Sequence, residues 1–215
     1  MSNGKGIASS RRDFLTHLGV GTTAAAVGVG LVPNPPTSPA TEPAHGDVTP
    51  ERESVPESST PYAVWQYRRD SDGFRSTAPV NVVFPLEDAT FSEVTGVFEA
   101  ADWYSYPEEY ARYAWDRATE EYRLQQYTAA ETYFGKVGRH HVRCWETDGT
   151  ASIQSHVDTA AVPNHGIASY VEGQRGVEML FREAGWHVER DALDFENDRN
   201  PDHDGLISVI RAEER

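Results

Sequence analysis

Residues 139–158 read Arg139-His-His-Val-Arg-Cys-Trp-Glu-Thr-Asp-Gly-Thr-Ala-Ser-Ile-Gln-Ser-His-Val-Asp158. Asp148-Gly149 supplies the two residue types that tolerate positive φ, as the tight turn of a hairpin requires. The arms, Arg139 to Glu146 and Ser152 to Asp158, are rich in β-branched and aromatic residues, so two antiparallel strands are expected. Successive side chains of a strand point to opposite faces. His140, Val142 and Cys144 therefore share a face with Ile153, Ser155 and Val157. Arg139, His141, Arg143 and Trp145 share the other with Ser152, Gln154, His156 and Asp158. If the apolar rows enter the core, His141, Arg143, Gln154, His156 and Asp158 form a polar cluster on an outer face.

Working outward from the hairpin, Val80 to Phe84 is a short apolar run ending at Pro85, which predicts a buried strand. Phe91, Val94, Phe98 and Ala101 then recur at helical spacing up to Trp103, with Thr90 or Ser92 as cap. Ser105-Tyr106-Pro107-Glu108 resembles a capping box with Pro in the first turn, predicting a second helix that fades near Glu121. Tyr122 to Phe134 lacks helical phase and predicts extended chain. Beyond the hairpin, a helix is expected from about Ala168, burying Tyr170, Val177, Leu180, Phe181 and Ala184 and stopping at Gly185. Gly205 to Ile210 predicts a last strand. Phe98-Glu-Ala-Ala-Asp-Trp103 and Phe181-Arg-Glu-Ala-Gly-Trp186 end their helices alike, a hint of two related halves. The expected fold class is α+β: a two-layer sandwich of a mainly antiparallel sheet with two or three helices, ferredoxin-like being one option.

Three segments are expected. Residues 1–32 carry Arg11-Arg12 just before a mild apolar run from Leu18 to Val32, the pattern of a twin-arginine export signal. The run is short for a span, which needs about 20 apolar residues. Ser38-Pro39-Ala40 offers a cleavage site. Residues 33–61 are rich in Pro, Ser, Thr and Glu with little to bury, as a disordered tether would be. Residues 62–215 form one folded domain. The expected destination is outside the cytoplasm, either secreted or tethered to the outer face of the cytoplasmic membrane. The partners are then the twin-arginine export machinery and a component of the cell envelope, and the membrane is touched only through an uncleaved N-terminal segment.

The 34 Asp and Glu residues against 19 Lys and Arg give a net charge of −15. Such a surface repels phosphate backbones, so nucleic-acid partners are excluded. Lys5 and Lys136 are the only lysines, and acidic excess with scarce lysine predicts adaptation to molar salt. There the Debye length falls to about 3 Å and self-repulsion is screened. Cys144 is the only cysteine, so no intramolecular disulfide supports the exported domain.

Three constellations carry candidate chemistry. His141, His156 and Asp158, with His165 just beyond the second strand, are a ligand set suited to zinc or a similar divalent ion with an open position for water. No other cofactor is expected. Arg139 and Arg143, at alternate positions roughly 7 Å apart, are a candidate anion clamp, weighed against internal pairing with carboxylates. Asn200, Asp202 and Asp204 before Gly205 sketch a calcium loop, but Arg211 stands where the bidentate Glu is required, so a hydrated turn is expected.

Pro79-Val80-Asn81-Val82, the helix ending at Trp103, and above all Arg139-His140-His141-Val142-Arg143-Cys144-Trp145 resemble the C-terminal domain of LssY-type proteins over about residues 78–188. The resemblance implies a domain without an assigned activity of its own, found in relatives beside membrane-embedded segments. The expected function is a non-catalytic binding or interaction module at the cell surface. The alternative is a metal-dependent, phosphoester-type hydrolase using the His/Asp cluster, so whether the chain is an enzyme stays open.

Overall fold

The computed structural model describes residues 53–55, 57, 59–105, 110–132, 138–159 and 166–213. The expected signal with Arg11 and Arg12, most of the expected tether, and His165 lie outside them. In chain order the elements are β1 (Glu53–Ser54), β2 (Trp65–Asp70), β3 (Gly73–Pro79), β4 (Val82–Pro85), α1 (Phe91–Ala100), β5 (Tyr104–Ser105), β6 (Tyr113–Asp116), β7 (Glu121–Leu124) and β8 (Tyr127–Ala130). They continue as β9 (His140–Thr147), β10 (Thr150–Asp158), β11 (Ile167–Ser169), α2 (Tyr170–Glu183), β12 (Trp186–Asp194) and β13 (Leu206–Ala212).

The hairpin forms in the expected register. Asp148 and Gly149 take φ of 42° and 71°, and His141 faces His156 while Arg143 faces Gln154 across β9 and β10. These strands sit inside a mixed sheet of order β1-β12-β13-β4-β10-β9-β8-β5, with β11 added to the far end of β10. The order β4–α1–β9–β10 places β10 between β4 and β9. After α2, however, the chain makes a second hairpin, β12–β13, and it is β13 that lies against β4, in parallel.

Both helices pack on one face of this sheet. Thr90, the earlier of the two expected caps, caps α1 and exchanges bonds with Glu93 in a capping box. Val94 and Phe98 from α1 and Val177 and Phe181 from α2 bury against Val82, Phe84, Val142, Cys144, Ile153 and Ile210. Fully burying each large aliphatic or aromatic side chain contributes on the order of 1.5–3 kcal/mol. Ala184, expected in this face, is exposed.

The opposite face of the sheet is apolar too: Val83, Trp145, Ile207 and Val209 all point there and are buried. A sheet with two apolar faces needs two covers, so the expected two-layer plan becomes three layers. The second cover is a four-stranded antiparallel sheet of order β3-β2-β6-β7, joined by residues 62–64 and Phe195. It accounts for the one expected helix that does not form. Residues 113–116 and 121–124 are strands, because Tyr113 and Tyr122 pack edge-on and stacked against Phe74, at 5.0 and 3.8 Å between centroids. The Asp116 carboxylate accepts from the Ala118 and Thr119 amides, closing a turn where the helix would have continued. The local capping signal at Ser105 loses to this tertiary packing. The paired chain also begins before Tyr62, since Glu53–Ser54 adds a parallel strand to β12 and Thr60 is buried.

Candidate functional site

The polar row of the hairpin is not on a solvated surface. Arg139, His141, Arg143, Gln154, His156 and Asp158 are all buried, none more than 6% exposed. The expected outer face is an interior one because Trp145, on the same row, draws the cover over it. From the other side α2 presses on the strand backbone: a Cβ on Gly173 would stand 2.4 Å from the His156 Cα, and one on Gly176 2.4 Å from the His140 Nδ1. Glycine at these two helical positions lets the helix approach β10 at His156 and β9 at His140.

Within this layer the side chains form a continuous chain of contacts. Arg139 Nε donates to Asp158 Oδ2 at 2.8 Å, and its Nη2 lies 2.6 Å from the same oxygen. The other oxygen, Oδ1, is 3.0 Å from His156 Nε2. His156 Nε2 is in turn 3.4 Å from His141 Nδ1. At the far side of its ring, His156 Nδ1 meets the Gln154 amide at 3.0 Å to Nε2 and 3.2 Å to Oε1. Burial pushes the Asp158 carboxyl up, but the hydrogen bond and charge of His156, with the Arg139 bond and the His141 charge, outweigh it and hold Asp158 well below the usual carboxylate range. The Asp158 carboxylate thus lies between a guanidinium and two imidazoles that favour its charged form.

His141, His156 and Asp158 can each turn one ligand atom toward a shared point, all within 4.8 Å of one another. Ligands of a tetrahedral zinc lie about 3.3 Å apart for bonds of 2.0–2.2 Å. The separations from His156 Nε2 to Asp158 Oδ1 and to His141 Nδ1, 3.0 and 3.4 Å, are near that spacing, and the third pair lies within 4.8 Å. The Gln154 amide serves either chemistry, donating to His156 Nδ1 when Nε2 carries the proton and accepting from it when Nε2 binds a cation.

The two arginines expected to clamp an anion part company. Arg139 is committed to Asp158, so the internal-pairing alternative holds for it. Arg143, whose Nη1 lies 3.4 Å from Gln66 Oε1 on β2, instead opens on a cleft of about 550 Å³ between the hairpin, the second sheet and the loop before β13. His156 forms part of its floor, and Arg112, Tyr110, Tyr170 and Arg199 line its walls. The Arg199 guanidinium stands 5.9 Å from the Trp65 ring centroid, and that of Arg112 5.7 Å from the Tyr110 ring. Burial pushes the Tyr170 hydroxyl up to about 12, opposed by the charge of Arg199 and reinforced by Asp202. Burial likewise pushes the Cys144 thiol far up, which makes it a packing residue and not a nucleophile.

The acidic loop is no calcium site. Asp202 turns to the start of α2, where Oδ1 accepts from the Tyr170 amide at 2.7 Å and Oδ2 from the Ser169 hydroxyl at 2.5 Å. Asp204 Oδ1 accepts from the Leu206 amide at 3.2 Å. The loop is also anchored inside, not merely hydrated: Asn197 Nδ2 donates to the Val64 and Val80 carbonyls and its Oδ1 meets His203 Nε2, each at 2.9 Å. Burial holds His203 below its ordinary pKa, against the pull of Asp204, Asp202, Asp198 and Asp194. This anchoring sets the position of Arg199. Gln66, Arg112 and Arg199 carried no signal in the sequence, because each comes from a segment that meets the hairpin only in three dimensions.

No protein-family model, curated protein or solved structure matches the chain.

Proposed function

We propose that the chain is an exported domain that binds a small ligand in the cleft between the hairpin and the second sheet. The observation that carries this is the cleft itself. Its volume of about 550 Å³ falls in the range of ligand pockets, roughly 300–1,000 Å³, and its polar groups converge from five separate segments. The His156–Asp158–Arg139 chain supports it from beneath: a side chain held on both ring nitrogens is a preorganised contact surface, not a mobile one. No helix of the described residues is long and apolar enough to cross a membrane. Export rests on Arg11-Arg12, and the LssY-type resemblance on the run that forms β9.

The test uses the full chain. With Arg11 and Arg12 intact it is expected outside the cytoplasm, and with both changed to Lys it is expected to be retained. A panel of carboxylates, phosphates, amines and neutral sugars is then screened by melting temperature. At least one class should raise Tm. Ile167→Trp, which adds bulk to the cleft lining, should abolish that rise while leaving the ligand-free Tm within a few degrees. A rise that survives Ile167→Trp, or no rise with any class, counts against the cleft.

The convergence of His141, His156 and Asp158 favours a second reading, a metal-dependent hydrolase in which those three residues hold a divalent ion and the cleft receives the substrate. Elemental analysis after dialysis against zinc, with free ion removed, should then give about one zinc per chain, and none for His156→Ala. Metal-free wild-type protein removes this reading and leaves the binding module.

A further inference from the structure

We propose that His203 is an acid-sensitive latch on one wall of the cleft: a proton taken up by its buried ring frees the loop between β12 and β13 from its anchor. That loop supplies Arg199, Asn200 and Pro201 to the cleft lining, so its release opens the wall. The consequence for a ligand rests on the binding reading above, whereas the release itself needs no ligand. The geometry of the ring is the first support. His203 is only 4% exposed, and its Nε2 meets Asn197 Oδ1 at 2.9 Å. The Asn197 Nδ2 donates to the Val64 and Val80 carbonyls, so the oxygen is the atom turned to the ring. An amide oxygen only accepts, and Nε2 therefore carries the ring's proton. Nδ1 is left as a lone pair, buried and without a hydrogen-bond partner among the described residues. A neutral ring fits this place. A second proton makes Nδ1 a buried N–H donor with nothing to receive it, and adds a charge away from water.

The surroundings of the ring set the direction of the switch. Four acids of its own loop, Asp204, Asp202, Asp198 and Asp194, draw a proton toward it. From α2 the Tyr170 ring faces it edge-on at 6.1 Å and stays neutral near pH 7, since burial raises that hydroxyl to about 12. Val64 and Val80, tied to the same anchor, bring no charge. Arg199 is paired with His203 through the backbone. Burial outweighs the four acids and holds the folded imidazole below its ordinary pKa. The closed loop thus binds fewer protons than the open one, whose imidazole titrates near about 6.5. Stability from the closed ring is present above that value and is lost as pH falls toward the folded midpoint. Neutral pH keeps the loop shut; mild acid opens it.

The bonds of the loop explain why one ring can release it. Arg199 and His203 exchange two backbone hydrogen bonds, each 2.9 Å, so the cleft residues between them move with the ring. To bring a charged Nδ1 to water or to one of the acids, the ring must leave its place, and its bond to Asn197 is lost. Asn197 is the link between this loop and the carbonyls of Val64 and Val80, on either side of the β2–β3 hairpin. The second tether, Asp202 on the Ser169 hydroxyl and Tyr170 amide, lies outside that link and holds the loop near α2 while its other side opens.

The experiment uses the full chain in molar salt, where surface carboxylates are screened, between about pH 7.5 and 5.5. The His203 ring, identified in NMR spectra by the signal missing from His203→Gln, is expected to be neutral with its proton on Nε2 and to titrate below about 6.5. Hydrogen exchange of the Phe195, Arg199 and His203 amides, corrected for the intrinsic effect of pH, should speed up by roughly five- to tenfold at the lower pH. Amides of β9 and β10 should stay within about twofold. His203→Gln keeps an N–H donor for Asn197 and cannot titrate, so its loop amides should exchange at the same corrected rate at both values. Asp198→Asn, at an exposed position, removes one acid that draws the proton and should move the ring midpoint and the onset of exchange to lower pH. It decides the matter if His203→Gln does not fold. A ring that titrates at or above about 6.5 overturns the latch. So does loop exchange that is equal at both pH values, or that rises as much in His203→Gln. No ligand enters these measurements, so their failure leaves the ligand screen of the cleft untouched, and an empty screen leaves the latch standing.

Discussion

Asp158→Ala is expected to cost the folded state about 3–5 kcal/mol, read from urea unfolding. The carboxylate receives two contacts from a guanidinium that is itself almost entirely buried, at 2.6 and 2.8 Å. Neither partner has access to water that could take over its charge. Removing one member of such a pair leaves a charge in a low-dielectric interior, and that residual charge, more than the lost attraction, sets the cost. The comparison that separates this cause from simple loss of packing is the double variant Arg139→Met with Asp158→Leu. It should cost clearly less than Asp158→Ala alone, because no charge is left stranded. The penalty of the single change should also persist in molar salt, whereas the exposed Arg75–Asp70 pair is screened there. A single change that costs under about 1 kcal/mol, or a double variant that costs more than it, contradicts the pairing described here.

Gly173→Ala is expected to destabilise by about 2–3 kcal/mol, even though alanine is the better helix former by about 1 kcal/mol. The added methyl would fall 2.4 Å from the His156 Cα and 2.5 Å from its N, contacts to backbone that no rotamer change relieves. Helix α2 must therefore lift from β10, moving the strand that carries Gln154, His156 and Asp158. Gly96 in α1 is the matched control. An added methyl there meets nothing within 4 Å, so Gly96→Ala should stabilise by up to about 1 kcal/mol. Thermal or urea unfolding of the two variants should thus move in opposite directions. Two shifts of the same sign would mean that the helix does not lie so close to the strand.

Much of the local structure was legible because it is written in short-range chemistry. The Asp148-Gly149 turn needs only two residues that accept positive φ, and it forms. Thr90 and Glu93 complete a capping box within one turn. Period-two alternation along β9 and β10 set which side chains share a face, so the meeting of His141, His156 and Asp158 followed from strand geometry before any coordinates. The helix expected after Ser105 shows the opposite case. Its capping signal is local, but Tyr113 and Tyr122 gain more by packing on Phe74 and Tyr67, dozens of positions earlier. No window of nearby residues contains that information.

The same division runs through the site. Residue alternation along a hairpin decides that two imidazoles and an acid lie on one row, since that is a property of consecutive dihedral angles. What the row faces is decided by long-range burial. Trp145, Val83, Ile207 and Val209 make the second face of the sheet apolar, and only the folded chain shows that β2, β3, β6 and β7 cover it. That cover turns an expected surface cluster into a buried charge chain, commits Arg139 to Asp158, and brings Arg112, Arg143 and Arg199 around one cleft. Composition alone determined the acidic character and the absence of a disulfide. The gathering of Arg112, Arg143 and Arg199 around one cleft is a tertiary fact, because they are separated by dozens of residues and meet only once apolar area has been removed from water.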